Sequence, residues 1–254
     1  MGVTNSKTGE EKKLNAAELE EAAKKMRAYD LISIHAAGSG HPGGTLSIMD
    51  VMAALYLNEL RHDPKNADWP KRDRVFLSGG HKAPALYTSL AVSGYFPVEE
   101  MMTLRKMGSR FQGHPHCLAL KGVEVSSGSL GQGLGIAAGN ALASKMDKND
   151  YRCYCIMGDG EQQEGSVWEA VMFASHYRLD NLVAIVDYNK LQIDGEVCCV
   201  MNIHPLAERY KSFGWHTISI DGHNMQQVVD AFKEARTAKN KPVAIIADTV
   251  KGKG

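Results

Sequence analysis

Five short apolar runs, at residues 74–78, 152–157, 182–187, 216–220 and 243–248, constrain the fold more than any other feature. Each is too short for a helix, and helical patterns separate them. Those patterns cover 15–37, 46–60, 84–92, 97–107, 131–145, 166–176, 205–213 and 225–238. Apolar strands alternating with helices predict an α/β fold, with a mainly parallel sheet covered by helices on both faces. No Pro/Ser-rich linker divides the 254 residues. We therefore expect one domain over 15–254, preceded by a flexible polar segment at 1–14.

Composition removes several function classes. Lys plus Arg and Asp plus Glu both total 29, so there is no net charge to build a basic face for nucleic acid. Aromatic residues are only 7%, too few for a platform that stacks single strands. No run reaches the length of a membrane span, and the start carries no apolar signal block. The five cysteines lack zinc-type spacing. Cys153 and Cys155 fall in an apolar strand and read as buried thiols, which suits a reducing cytoplasm.

Ligands of an open parallel sheet collect beyond the carboxyl ends of its strands. Four polar or glycine-rich turns follow the predicted strands there: 78–81, 158–160, 187–189 and 221–223. Asn189, in the third, comes 30 residues after Asp159, the distance of one strand–helix–strand crossover, which places the two side by side at adjacent strand ends. A carboxylate and an amide oxygen meeting there make a hard oxygen site, suited to Mg2+ that also binds diphosphate oxygens. Gly160 leaves room for such a group. Either half alone is an ordinary turn. His41 sits in a glycine-rich helix-to-helix turn, His81 follows a strand at a site for anions, and His114 lies in a Gly-His-Pro-His loop. Each of the three also has a plain structural reading as a turn histidine.

Six ordered strings, SGHPGG, LSGGH, GHP, GSLGQG, GDGEQQEG and DYNKLQIDG, resemble those of transketolase, a thiamine diphosphate enzyme. The resemblance runs from about residue 20 to the end. It implies that Asp159, Asn189 and the Leu191 carbonyl hold Mg2+, with Ca2+ or Mn2+ able to substitute. It implies that Gly158, Gly160, Asn189 and His81 serve the cofactor diphosphate, and that Gly128, Ser129 and Leu130 approach its rings. Ser129 stands where the usual family loop has Pro. His41, His81 and His114 are implied to act on substrate, and Glu164 to couple paired sites at a subunit interface.

Full-length transketolases carry further domains, one of which binds the aminopyrimidine. The resemblance therefore implies an N-terminal subunit that needs a separate C-terminal subunit with that domain. A 2+2 heterotetramer acting on sugar phosphates in the pentose phosphate pathway is the expected assembly. The α subunit of a 2-oxo acid dehydrogenase would share GDG and the later Asn, but not the histidine strings. A deoxyxylulose phosphate synthase usually has both domains in one chain. A non-catalytic regulatory subunit that keeps the fold is the reading from another class, and the retained Asp159, Asn189 and three histidines count against it.

Overall fold

A computed structural model of the chain describes residues 13–193 and 195–254. The flexible segment expected at 1–14 lies almost wholly outside the described residues. Five strands form one parallel sheet: β1 (Arg74–Leu77), β2 (Cys153–Gly158), β3 (Leu182–Tyr188), β6 (His216–Asp221) and β7 (Val243–Asp248), in the order β1-β2-β3-β7-β6. A small antiparallel hairpin, β4 (Leu191–Gln192) with β5 (Gly195–Glu196), follows β3. The five sheet strands coincide with the five apolar runs to within a residue.

Alternation along the strands divides the core into two layers. Tyr154, Ile156, Val183, Ile185, Val243 and Ile245 face one side. There they pack with α1 (Ala16–Ala37), α3 (Met49–Ala54), α4 (Ala83–Ser93) and α9 (Met225–Thr237). Cys153, Cys155, Met157, Ala184, Val186 and Ala244 face the other. They meet α5 (Gly133–Met146), α6 (Gly165–His176) and α8 (Leu206–Ser212). Cys153 and Cys155 are fully buried free thiols, as read from the sequence.

Local chemistry sets several boundaries. Asn15 caps α1 by accepting the Glu18 N–H at 3.0 Å, while the Glu18 carboxylate accepts the Asn15 N–H at 2.9 Å. The helix expected over 46–60 starts earlier, at α2 (Pro42–Ser47), because Pro42 suits a first helical turn. It breaks at Ile48, resumes as α3, and widens into a π turn at Leu55–Glu59. That stretch is buried on nearly all sides, so its sequence carries no periodicity to mark the breaks. The helix expected over 97–107 is only a 3-10 turn, Val98–Thr103. Leu104 turns extended, Arg105 takes φ 59°, and Met107 is fully exposed with nothing to pack against.

The winding direction reverses at the edge strand β6. The chain leaves β3 for the edge strand β6 and returns to fill β7. Such a reversal opens a crevice at the carboxyl ends of the strands. Asp187 and Tyr188 of β3 pair there with Ala247 and Asp248 of β7.

Candidate active site

Asp187 ends the apolar part of β3 and is fully buried. Its carboxylate accepts from the Ser47 hydroxyl of α2 at 2.6 Å, from Asn189 Nδ2 at 3.0 Å, and from the Thr249 hydroxyl after β7. It also pairs with the buried Lys82 ammonium. Burial works against the ionised acid, but Lys82 and the two hydroxyls outweigh it and hold its pKa below the usual range. This charge pair ties the ends of β1, β3 and β7 together and fixes Asn189.

Glu161 braces the other side. Its carboxylate accepts the Ser78 hydroxyl, the Gly131 N–H at 2.8 Å and the Gly158 N–H at 3.0 Å. The glycine-dense loop before α5 is thereby pulled onto the ends of β1 and β2. Gly131 has φ +81°, and a side chain there would strike Glu164 Cβ at 2.6 Å. Gly80 is equally constrained, since a Cβ would meet the Gly128 nitrogen at 2.8 Å.

Within this frame the expected residues converge in two groups. Asp159 is 2% exposed; its two oxygens accept the Gly160 N–H at 2.8 Å and the Lys190 N–H. Burial raises its pKa, partly offset by those amides and by Lys82. Asn189 is also buried, and its Oδ1 accepts the Leu191 N–H at 3.2 Å. The Leu191 carbonyl accepts from Lys251 Nζ at 3.3 Å. Asp159 after β2 is joined to the Asn189–Leu191 turn after β3 through the Lys190 N–H, and the carboxylate, amide and carbonyl oxygens of these two neighbouring segments could hold a hard dication. The N–H of Gly160, expected to face diphosphate, is engaged by Asp159 itself, and that of Gly158 by Glu161.

The second group is built of histidines. His41 and His81 meet edge-on with ring centroids 5.6 Å apart. The His114 ring lies against Gly128, where a Cβ would be 3.5 Å from it. Burial, reinforced by the charges of Lys82, His41, His114 and Lys251, lowers the His81 pKa to about 4. His41 is lowered as well, by burial first and then by Arg105, His114 and Lys251. Both rings are therefore neutral near pH 7, each with one nitrogen free to accept a proton. Ser129 is exposed and Leu130 half-buried in the same loop, and Glu164 is exposed at the start of α6.

Lys82, Glu161, Asp187 and Lys251 frame the candidate site, and although sequence reasoning places Asp187 in the turn 187–189 and Glu161 in a motif string, it gives none of the four a role. Asp187 carries a signal, a charge closing an otherwise apolar strand. The other three have roles that only burial and long-range packing reveal.

A crevice at the carboxyl ends of the strands, with carboxylate, amide and carbonyl oxygens of two segments and a group of histidines, is the ligand-binding arrangement of the doubly wound α/β class. The family model for the transketolase thiamine diphosphate binding domain matches residues 19–254. The chain belongs to that family. A 6-deoxy-6-sulfo-D-fructose transketolase subunit of Clostridium sp. is 46% identical over 93% of this chain and 86% of its own length. An apulose-4-phosphate transketolase subunit of Phocaeicola vulgatus is 42% identical over 93% of this chain and 84% of its own. Human transketolase is 43% identical, but this chain covers only 38% of it. The solved transketolase of Leishmania mexicana superposes with a TM-score of 0.88 at 30% identity, over 92% of this chain and 37% of that one. The chain thus spans a little over a third of the one-chain relatives and most of the separate subunits. By that match it is the N-terminal subunit of a two-chain transketolase.

Proposed function

We propose that this chain, with a second chain carrying a pyrimidine-binding domain, transfers a two-carbon ketol unit from a ketose phosphate to an aldose phosphate. The observation that carries the reading is the edge-on contact of His41 with His81, with the His114 ring against Gly128, in a chain whose Asp159 and Asn189–Leu191 segments are joined through the Lys190 N–H. Polyhydroxylated sugars need several hydrogen-bonding groups on one wall, and three histidines supply them.

The donor set of Asp159, Asn189 and Leu191 is all oxygen, which favours Mg2+ over softer ions. The Leu191 carbonyl already receives an ammonium, so the spot accepts positive charge. Thiamine diphosphate, when bound, supplies the carbanion and the electron sink for the two-carbon fragment. His81 stands where its neutral ring can donate to a diphosphate or take a proton from a sugar hydroxyl. His41 and His114 bind and orient donor and acceptor hydroxyls. Gly128 lets the cofactor rings approach the backbone, Ser129 and Leu130 line them, and Gly158 and Gly160 give the diphosphate room. Glu164, exposed at the start of α6, is assigned to the contact between subunits. We assign the complex a 2+2 stoichiometry, a cytoplasmic setting that fits its free thiols, and a role in pentose phosphate interconversion.

The test is ketol transfer by material co-purified with a tagged copy of this chain. Xylulose 5-phosphate would be donor and ribose 5-phosphate acceptor, with and without thiamine diphosphate and Mg2+. Cofactor-dependent transfer by a two-chain complex is expected. A complex that binds cofactor but transfers nothing from xylulose 5-phosphate, while using a sulfonated ketose, would move the substrate and keep the reaction. Transfer from no ketose would contradict the proposal.

A further inference from the structure

After β5 the chain makes one helical turn, α7 (Val197–Val200), that has no part in the cofactor turn or the histidine wall. Glu196 precedes it at the cap position, and Cys198 and Cys199 occupy its second and third positions. One turn brings these side chains to the same end. Cys198 Sγ and Cys199 Sγ are 3.8 Å apart, and they lie 3.6 and 3.8 Å from Glu196 Oε2. All three residues are exposed to solvent.

Those spacings come within about 0.3 Å of the edges of a tetrahedral site. Around an ion with sulfur ligands at about 2.3 Å and an oxygen ligand at about 2.0 Å, the S–S edge is about 3.8 Å and the S–O edges about 3.5 Å. Three ligand atoms are therefore arranged for a fourth body at their centre. An ordinary disulfide does not explain the pair, because adjacent α-carbons sit about 3.8 Å apart, closer than a normal disulfide spans. Two thiols and one carboxylate suit zinc-type ions, whereas Mg2+ and Ca2+ prefer oxygen alone. We propose that Glu196, Cys198 and Cys199 form a second cation site, selective for a borderline or soft dication such as Zn2+, with its fourth position open.

A hollow of about 430 Å³ borders Glu196 and Cys198 together with Tyr188, Asn189, Leu191 and His204. Hydrogen bonds, one between backbone groups and two from a side-chain amide, link the site to the proposed cofactor segment. The Val197 N–H donates to the Lys190 carbonyl at 2.9 Å. The Gln163 side-chain amide donates to Gln192 Oε1 at 2.8 Å and to the Met201 carbonyl at 3.0 Å. A cation held at α7 fastens the hairpin that carries Leu191. The two cation sites divide by chemistry, one all oxygen and one mainly sulfur, so neither ion displaces the other.

The test is titration of the reduced, metal-free full chain with Co2+, followed by its thiolate charge-transfer absorption. One equivalent is expected to develop the band, Zn2+ to abolish it, and excess Mg2+ to leave it unchanged. Cys198→Ser and Cys199→Ser should each lose the band while keeping the far-UV circular dichroism of the parent. Glu196→Gln should weaken Co2+ binding by more than about tenfold, since loss of even an outer partner costs that much. Cys117→Ser and Asp159→Ala should both retain the band. No band in the parent chain, a band that survives in Cys198→Ser, or one that vanishes in Asp159→Ala would overturn the proposal.

Discussion

Asp187 holds four donors drawn from α2, the turn after β1, the end of β3 and the segment after β7. Replacing it with Ala leaves the Lys82 ammonium buried without a counter-charge. We expect Asp187→Ala to lower stability by about 3–5 kcal/mol, read from the urea midpoint, and Lys82→Met in the same chain to restore part of the loss. Asp30 of α1 shows the opposite condition. It is fully buried, neither carboxylate oxygen has a hydrogen-bond partner, and burial pushes its pKa up to about 8. Because the folded state holds this proton and the unfolded state releases it near pH 4, the Asp30 contribution falls as pH rises from about 4 to 8. Within that window the slope approaches about 1.4 kcal/mol per pH unit. Asp30→Asn should remove that fall, so its stability relative to the parent rises between pH 5 and pH 8. A constant difference across that range would show that Asp30 does not titrate there. Sequence reasoning reaches Asp159 and Asn189 because their spacing follows from one crossover. It does not reach Glu161, whose importance lies in the buried amides it satisfies rather than in any motif.

Helices and strands differ in how much their sequences disclose. Strands β1, β2, β3 and β7 are buried and apolar through most of their length, and the half-exposed edge strand β6 alternates Ile218 and Ile220 with Thr217 and Ser219, so all five are legible. The Pro42–Glu59 stretch is buried on nearly every side, and nothing in its pattern marks the break at Ile48 or the π turn. The β4–β5 hairpin is also hidden, since two-residue strands carry no alternation; its place is set by contacts of Gln192 and Val197 with the site. For α1 the signal is plain, because Asn15 and Glu18 form a reciprocal cap. Asn15→Ala should cost about 1 kcal/mol, seen as a lower thermal midpoint with unchanged cofactor binding. An unchanged midpoint would mean that packing alone sets the start of α1.

Over the whole molecule, the sheet order puts the carboxyl ends of β2, β3 and β7 at a single crevice, and two buried acids lock that arrangement. Asp187 joins the strand ends to Lys82, and Glu161 draws in the glycine loop. The scaffold holds the proposed cofactor segments and the candidate histidine wall in place, while the second chain is expected to supply the aminopyrimidine pocket. Among the described residues no helix is long and apolar enough to cross a membrane. The most direct test is calorimetric titration of thiamine diphosphate into the two-chain complex, with and without Mg2+, for the parent and for Asp159→Ala. Binding that requires Mg2+ and disappears in Asp159→Ala, with the complex still assembled, is the predicted result. Equal binding by the variant, or binding indifferent to Mg2+, would contradict the assignment of Asp159, Asn189 and Leu191 as the cation's ligands.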